Sequence, residues 1–292
     1  MKNKQLSFFD DMIQTDIHSR PVNVASVPQR SPFRYPGGKT WLIPTIREWL
    51  KQDTKKVSLL VEPFAGGGIV SLTAAFEDLA DKIIMSEIDA EIAAVWEVIL
   101  GEGNDRLADR IYRFELTSEN VQRELQQEIF DIELQAFCTI LKNRVFHGGI
   151  ITKGSGLIKT GENGKGIGSR WYPRTLRDRI QSIKYISHKI DFFKMDAFEV
   201  IEQYAKDKSV SFFIDPPYTV AGKRLYTHFD IDHEKLFALA AKLKGRFMLT
   251  YDDTEEIRNL ASKYSLKYMT IPMKTTHHLQ KNEIIISDNL NW

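Results

Sequence analysis

The chain has 292 residues, 42% of them hydrophobic, with 40 Lys and Arg against 39 Asp and Glu. A chain of this kind forms one large or two modest domains, and its composition excludes a disordered or fibrous protein. A lone Cys138 excludes an internal disulfide and a cysteine-based metal site, so no metal is expected. No apolar run approaches the ~18 residues of a membrane span, and no signal-peptide core precedes Asp10, which favours a cytoplasmic protein.

The first part of the chain predicts an arm followed by a strand, helix, strand unit. Residues 1–30 are polar and contain prolines, which indicates a flexible arm. From Phe33 on, the spacing of apolar residues predicts a helix, a strand, a glycine-rich turn, a second helix and a second strand over 41–50, 57–61, 62–68, 71–79 and 82–87. The strand VSLLV is continuously apolar, as strands buried on both faces are.

The remaining chain continues this alternation on both sides of one insertion. Helices are predicted over 92–99 and 118–145, ahead of a basic stretch. Beyond it, strands over 191–195, 210–214 and 246–251 alternate with helices over 198–204, 232–243 and 255–264, and the segments LKYMTI and EIIIS form a final strand pair. Alternating β and α elements predict an α/β fold with a mostly parallel sheet and a second lobe spliced into it.

Residues 139–190 are strongly basic and rich in glycine. They hold eleven Lys and Arg but only Glu162 and Asp178 as acids, together with eight of the 17 glycines. Cations interleaved with aromatics such as Trp171 and Tyr172 suit a phosphate backbone and unstacked bases. Charge alone also allows a solvated helix face. Because so many glycines disfavour a rigid surface helix, we expect a mobile basic loop.

The glycine-rich turn has the spacing of a nucleotide-like cofactor site. Such a turn lets a ligand approach the backbone closely, and an acidic residue about 20 positions later can bind a ribose, as Glu87 could here. The dinucleotide fingerprint needs a third glycine where this chain has Ser71. That difference weakens a nicotinamide interpretation, and many glycine turns are purely structural.

The segment Asp215-Pro216-Pro217-Tyr218 directly follows the apolar strand 210–214. Ligands of open α/β sheets bind just beyond the carboxyl ends of strands. The prolines remove two backbone donors, so a carbonyl can face an amine beside the Asp215 carboxylate. Tyr218 offers a stacking face. The segment predicts a pocket for an amino-bearing heterocycle, against the simpler alternative of an Asp-Pro turn with a buried Tyr.

Four segments in this order resemble the D12 class of DNA adenine-N6 methyltransferases, a Dam-like family: RYPGGK (34–39), VEPFAGGG (61–68), SEID (86–89) and DPPY (215–218). The likeness extends to LKNRVFHGG and TYDDTEEIRNLA. It implies a class I S-adenosylmethionine-dependent methyltransferase fold, Rossmann-like, with an inserted, mainly helical target-recognition lobe. It also divides the chain into the arm, a catalytic domain over 31–100 and 190–292, and a DNA-recognition domain over 101–189 with a Gly-rich basic loop over 148–170.

The resemblance implies roles for individual residues. Asp215 accepts a hydrogen bond from the adenine N6 amino group, the Pro216 carbonyl is a second acceptor, and Tyr218 stacks on the base. Asp196 holds the cofactor adenine, with a helix N-cap as an equal alternative. The implied set of residues around S-adenosyl-L-methionine is Tyr35, Lys39, Phe64, Gly66, Gly68, Glu87, Asp196 and Asp215.

The resemblance further implies that double-stranded DNA is the substrate and that the target adenine is flipped out of the duplex. Candidate DNA contacts are Arg144, Lys153, Arg170, Arg174, Arg177, Lys223 and Arg224. The segment 147–176 departs from the best-known relatives, so their recognition sequence does not transfer. Alternatives are a cytosine-N4 or RNA amino-methyltransferase, or a non-catalytic DNA-binding relative.

The arm contains Gln5-Leu6-Ser7-Phe8-Phe9, which resembles the short peptide by which bacterial DNA-processing proteins bind the replication sliding clamp. The clamp is therefore a candidate partner. The expected location is the bacterial nucleoid in the cytoplasm. The alternative is an arm that folds back onto the core through Phe8 and Phe9.

Overall fold

The computed structural model describes residues 26–292, apart from residues 36, 153, 162–163, 219–229 and 275–279. Four features predicted above lie outside the described residues: the peptide Gln5–Phe9 and the basic side chains Lys153, Lys223 and Arg224. No helix in the described part of the chain is long and apolar enough to cross a membrane.

One mixed sheet carries the fold. In chain order its strands are β1 Val57–Glu62, β2 Ala80–Ser86, β3 Ile190–Phe193, β4 Val210–Ile214, β5 Arg246–Asp252, β6 Lys267–Lys274 and β7 Gln280–Ser287. The spatial order is β3-β2-β1-β4-β5-β7-β6. Strands β1 to β5 are parallel, and β7 is antiparallel to both β5 and β6. The predicted final strand pair is confirmed, with β7 inserted between β5 and β6.

The helices surround this sheet. They are α1 Ile43–Leu50, α2 Ile69–Phe76, α3 Ala90–Leu100, α4 Asn104–Arg113, α5 Ser118–Gln126, α6 Ile132–Val145, α7 Pro173–Ile183, α8 Ala197–Tyr204, α9 His233–Ala240 and α10 Glu255–Lys263. Helices α4 to α7 are inserted between α3 and β3, where the sequence predicts the second lobe.

The single helix expected over 118–145 is wrong. The chain leaves the helix at Gln127, whose backbone is extended, and a new helix starts after Asp131. The Asp131 carboxylate accepts a hydrogen bond from the Leu134 backbone N–H at 2.7 Å and so caps α6. A capping aspartate inside a continuous amphipathic pattern therefore divides the segment into two helices.

Helix α9 has a side-chain cap at its start and ends three residues before the predicted boundary at residue 243. The Asp232 carboxylate accepts from the Lys235 backbone N–H at 2.8 Å. The helix ends at Ala240, so Gly245 does not terminate it. A Cβ at Gly245 would lie 2.1 Å from the Val210 carbonyl oxygen. This glycine is needed because the chain passes close to the start of β4.

Two hydrophobic clusters cover the two faces of the sheet, because alternate strand residues point to opposite sides. Helices α8, α9 and α10 pack on one face together with Val61, Ile84, Phe212, Ile214 and Leu249. Helices α1, α2 and α3 pack on the other with Leu60, Ile83, Met85, Phe213 and Met248. The inserted helices α4 to α7 share this second cluster. The basic segment is thereby anchored on the same core as the sheet.

Parallel strands bring their carboxyl ends to a single edge of the sheet. At this edge the chain places an acidic residue at or just beyond the end of each of the first five strands: Glu62, Glu87, Asp196, Asp215 and Asp252. Ligands of doubly wound sheets bind at this edge. The fold therefore concentrates carboxylates where the site is expected.

Candidate active site

A cavity of about 850 Å³ opens at the carboxyl edge of the sheet. Its volume lies within the ~300–1,000 Å³ usual for small-molecule sites. The residues predicted to surround a cofactor all line it: Tyr35, Lys39, Phe64, Gly66, Gly68, Glu87, Asp196 and Asp215. The fold thus brings together side chains that are spread over most of the chain length.

The glycine turn after β1 forms the floor of this cavity and is tightly packed. Gly66 and Gly68 have φ values of +45° and +60°, which side chains rarely adopt. A Cβ at Gly66 would lie 2.7 Å from Tyr35 Cε1, and one at Gly68 would lie 2.7 Å from Trp96 Cζ2. The Trp96 indole N–H donates to the Gly66 carbonyl at 2.9 Å. The turn is therefore fixed between two aromatic side chains.

Glu87 follows β2 and binds the glycine turn. Its carboxylate accepts hydrogen bonds from the backbone N–H groups of Gly66 at 3.0 Å, Ile88 at 2.9 Å and Asp89 at 3.0 Å. Burial raises the pKa of Glu87 to about 7, despite these hydrogen bonds, which favour the ionised form. The carboxylate is thus preoriented beside the cavity.

Glu62, the last residue of β1, is a site residue that the sequence analysis missed. It lines the cavity and is almost fully buried. It accepts hydrogen bonds from the Ser71 backbone N–H at 2.9 Å and from the Ser71 hydroxyl. Burial raises the pKa of Glu62 to about 8. Ser71, which stands where a dinucleotide site has glycine, therefore serves to bind Glu62.

Asp215 lies directly after β4 with its side chain 21% exposed, and its contacts distinguish its two oxygens. The Lys39 ammonium lies 2.8 Å from Oδ1, and the Thr250 hydroxyl donates to the same Oδ1 at 2.7 Å. Among the described residues no hydrogen bond is found to Oδ2. Oδ2 is therefore the oxygen that can accept a hydrogen bond from a ligand in the cavity.

Lys39 is only 2% exposed and is held by protein groups. It begins the short 3-10 helix Lys39–Leu42 and donates to the Gly37 carbonyl at 2.9 Å. Burial lowers the pKa of Lys39, but the charges of Asp215 and Glu283 outweigh it, so the pKa is raised overall. The ammonium stays charged and is a direct partner of Asp215.

Tyr218 and Pro216 do not line the cavity; from this turn Asp215 and Pro217 do. The Tyr218 ring packs against Tyr251, with ring centroids 5.7 Å apart and planes at 29°, and the Lys39 ammonium lies 4.9 Å from the ring centroid. Its hydroxyl donates to Glu283 Oε2 at 2.9 Å. Tyr218 thus contacts Lys39 and Glu283 and does not face the cavity.

Asp196 caps α8, because its carboxylate accepts from the Phe198 backbone N–H at 2.8 Å. It also lines the cavity. The N-cap alternative is therefore confirmed, and the role toward a cofactor stays a prediction.

The predicted DNA-contacting arginines differ in exposure, and their contact with DNA stays a prediction. Arg144 is only 4% exposed and donates to the Pro32 carbonyl, so it forms part of the cavity wall and not an open basic surface. Burial, followed by the charges of neighbouring arginines, lowers the pKa of Arg144 to about 9. Arg174 on α7 is exposed, Arg170 is half-buried, and the Arg177 guanidinium lies 4.6 Å from the Tyr112 ring centroid.

The strand order, with β7 inserted antiparallel, and the helices on both faces confirm the predicted class I methyltransferase fold. A model of the D12 class N6 adenine-specific DNA methyltransferases matches residues 35–275. The chain belongs to this family.

Two curated methyltransferases are similar to this chain in sequence, at low identity. The chain is 24% identical over 232 residues to the type II methyltransferase M.MjaIII of Methanocaldococcus jannaschii, covering 72% of this chain and 78% of that protein. It is 23% identical over 209 residues to the DNA N-6-adenine-methyltransferase of Escherichia phage P1, covering 70% of this chain but 26% of the phage protein.

Among solved structures, an rRNA methyltransferase of Streptomyces viridochromogenes is similar at a TM-score of 0.38 and 12% identity, covering 86% of this chain and 85% of that one. A precorrin-6y methyltransferase of Geobacter metallireducens is similar at a TM-score of 0.37 and 9% identity, covering 87% and 92%. Likeness at this level carries no argument about activity.

Proposed function

We propose that the protein transfers a methyl group from S-adenosylmethionine to the N6 amino group of an adenine in double-stranded DNA. The observation that carries this proposal is how the two carboxylate oxygens of Asp215 are hydrogen-bonded. Lys39 and Thr250 both bind Oδ1, while Oδ2 has no partner among the described residues, and Asp215 lines the same cavity as Glu87 and the glycine turn. An acceptor for an amine and a cofactor site thus share one cavity.

The residues present fit S-adenosylmethionine. The Glu87 carboxylate after β2 suits the hydroxyl pair of a ribose, and the glycine turn allows a close approach to the backbone. Asp196 after β3 suits the amino group of the cofactor adenine. When bound, the cofactor supplies an electrophilic methyl group on a positively charged sulfur.

The chain's own residues orient the amino group of the base. The lone pair of that nitrogen is delocalised into the ring, so it is a poor nucleophile until its hydrogens are held out of the ring plane. Asp215 Oδ2 accepts a hydrogen bond from one N–H. Pro216 is buried and does not line the cavity, so its carbonyl accepts from the other N–H only after the turn shifts. Position and electrostatics then lower the barrier.

A base inside a duplex cannot reach this cavity, so the adenine has to be extruded, which costs about a few kcal/mol of stacking. Tyr218 lies off the cavity wall and is partly exposed, so it offsets part of this cost by stacking only when the base lies beside the cavity, next to Asp215. Phosphate contacts fall to the basic stretch over 139–190, with Arg170, Arg174 and Arg177 as described candidates and Lys153 beyond the described residues. Lys223 and Arg224, which follow Tyr218, are further candidates and also lie beyond the described residues.

The experiment is expression in a methylation-free bacterium, followed by genome sequencing that detects modified bases. We expect N6-methyladenine at one sequence context and tritium transfer from labelled S-adenosylmethionine to DNA in vitro. Label found only at cytosine N4, or only in RNA, would show that one of these alternatives is the substrate instead of adenine in DNA. DNA binding with no transfer would make the protein a non-catalytic relative.

The proposed clamp contact at Gln5–Phe9 is tested separately. Purified sliding clamp should bind the full-length protein, and replacing Gln5 and Phe9 by Ala should abolish that binding. Equal binding before and after the substitutions would refute the contact without affecting the methyltransferase proposal.

A further inference from the structure

Glu283 is a buried carboxylate next to the proposed catalytic group. It lies on β7, where it is paired with Asp252 on β5 and with Ile271 on β6, and it is 5% exposed. A buried carboxylate is costly unless charges and hydrogen bonds compensate it. The groups that contact Glu283 therefore indicate its role.

Two of the described groups contact the Glu283 carboxylate, and both belong to the site. The Tyr218 hydroxyl donates to Oε2 at 2.9 Å, and the Lys39 ammonium lies 3.8 Å from the same oxygen. Lys39 in turn lies 2.8 Å from Asp215 Oδ1 and 4.9 Å from the Tyr218 ring centroid. Glu283, Tyr218, Lys39 and Asp215 thus form one connected cluster.

We propose that Glu283 is a positioning residue that fixes the Tyr218 ring relative to Asp215. The inference rests on the proposed function, in which the extruded base lies beside the cavity, stacks on the partly exposed Tyr218 ring and is bound through its amino group by Asp215. A phenol ring attached to the chain at one end can still swing. A hydrogen bond at its far end, together with Tyr251 packed against it, restricts that motion.

The hydrogen bond to Tyr218 carries this role, and not the charge toward Lys39. The hydrogen bond is 2.9 Å long, whereas the ion pair spans 3.8 Å, and Lys39 already has Asp215 and Gly37 as closer partners. Glutamine has the same shape as glutamate and keeps an acceptor for the hydroxyl, but it lacks the charge. The two contributions can therefore be separated by substitution.

The test measures single-turnover methyl transfer from tritiated S-adenosylmethionine to DNA of a methylation-free bacterium. The variants are Glu283→Ala, Glu283→Gln, Tyr218→Phe and the double variant Glu283→Ala with Tyr218→Phe. We expect Glu283→Ala and Tyr218→Phe each to slow transfer by about 10- to 100-fold, the scale of a small misplacement of reacting groups. The double variant should be no slower than either, and Glu283→Gln should stay close to wild type.

A second readout separates positioning from loss of folding. Calorimetric titration of Glu283→Ala with S-adenosylmethionine should give the wild-type affinity, because the cofactor site of a folded protein is unaffected when only the Tyr218 ring is displaced. If Glu283→Ala does not fold, Glu283→Gln in the Tyr218→Phe background replaces it, and it should slow transfer no further than Tyr218→Phe alone.

Several results overturn the inference. They are wild-type rates in Glu283→Ala, additive losses in the double variant, or a Glu283→Gln variant as slow as Glu283→Ala. Each presupposes an active wild-type enzyme. A wild-type protein that transfers no label to any DNA contradicts the proposed function instead, so the two failures are distinguishable.

Discussion

The Lys39 ammonium and the Asp215 carboxylate form an ion pair with 2.8 Å between Nζ and Oδ1, although one precedes α1 and the other follows β4. The pair ties the segment before the first helix to the centre of the sheet. It also occupies one oxygen of Asp215 and so determines which oxygen is left for a substrate. The same ion pair therefore stabilises the fold and orients the Asp215 carboxylate.

Replacement of Asp215 by Ala removes the proposed acceptor for the amino group. We expect transfer to fall by about 10³-fold or more, the range seen when preorganised polar groups are lost, while retention of DNA on filters changes little. Asp207→Ala, on an exposed turn ahead of β4, is the matched control. Loss of DNA binding with residual transfer would contradict the assignment.

Replacement of Lys39 by Met should destabilise the fold. Asp215 and Glu283 would lose their shared cation, and breaking a buried pair costs about 3–5 kcal/mol in the free energy of unfolding. Urea denaturation monitored by tryptophan fluorescence measures this change. Lys56→Met, which breaks exposed pairs with Asp78 and Asp81, should leave the midpoint unchanged. Equal midpoints for the two variants would show that the Lys39 pair adds no stability.

The affinity for S-adenosylmethionine should depend on pH through Glu87. Burial raises the pKa of this carboxyl to about 7, so it is protonated well below neutrality and ionised above. The ionised form accepts hydrogen bonds more strongly, and calorimetric titration should show tighter binding as the pH rises from about 6 to 8. Glu87→Gln should weaken binding and flatten this pH step, whereas Glu199→Gln, exposed on α8, should keep it.

The same shift has a consequence for stability. The folded-state pKa of Glu87 is raised above its ordinary value, so the folded protein binds more protons than the unfolded chain between these values. The free energy of unfolding therefore falls as the pH rises through that window. Urea midpoints of the wild type should decline from about pH 5 to pH 7, and the decline should be smaller in Glu87→Gln.

Arg174 should contribute to DNA affinity through phosphate contact. It is exposed on α7, within the basic stretch. Arg174→Gln should weaken binding uniformly across sequences and reduce the slope of log affinity against log salt by about 0.9, the release of one counterion. Lys206→Gln, exposed between α8 and β4 at the opposite edge of the sheet, should leave the slope unchanged. Identical slopes for both variants would place the DNA elsewhere.

Local patterns predicted most of the sheet, because strands buried on both faces appear as apolar runs such as VSFFI in β4. The resemblance of four short motifs to a known family, and not local patterns alone, predicted that Lys39, Glu87 and Asp215 belong to one site. The boundary between α5 and α6 was missed, because one capping side chain, Asp131, outweighs an amphipathic pattern that continues across it.

The missed site residues share a different cause. Thr250 and Glu283 contact Asp215 and Tyr218 across strands. Thr250 begins the segment TYDDTEEIRNLA, but the resemblance implied no role for it, and Glu283 belongs to none of the segments that carry the resemblance. Glu62 carried a weak local signal, an acid ending a strand that is otherwise apolar. Glu283 similarly precedes the apolar run of β7. An acidic residue bordering a buried strand indicates a partner, but the partner's identity comes only from the strand order.

The placement of β7 between β5 and β6 has a consequence for protein synthesis. On the ribosome, β5 and β6 leave the exit tunnel before residues 280–287, yet neither can close the sheet alone. A nascent chain at that stage leaves the β5 edge uncovered, which chaperones or neighbouring chains can bind. It also lacks Glu283, so the contacts of Glu283 with Lys39 and Tyr218 form only after β7 has been made.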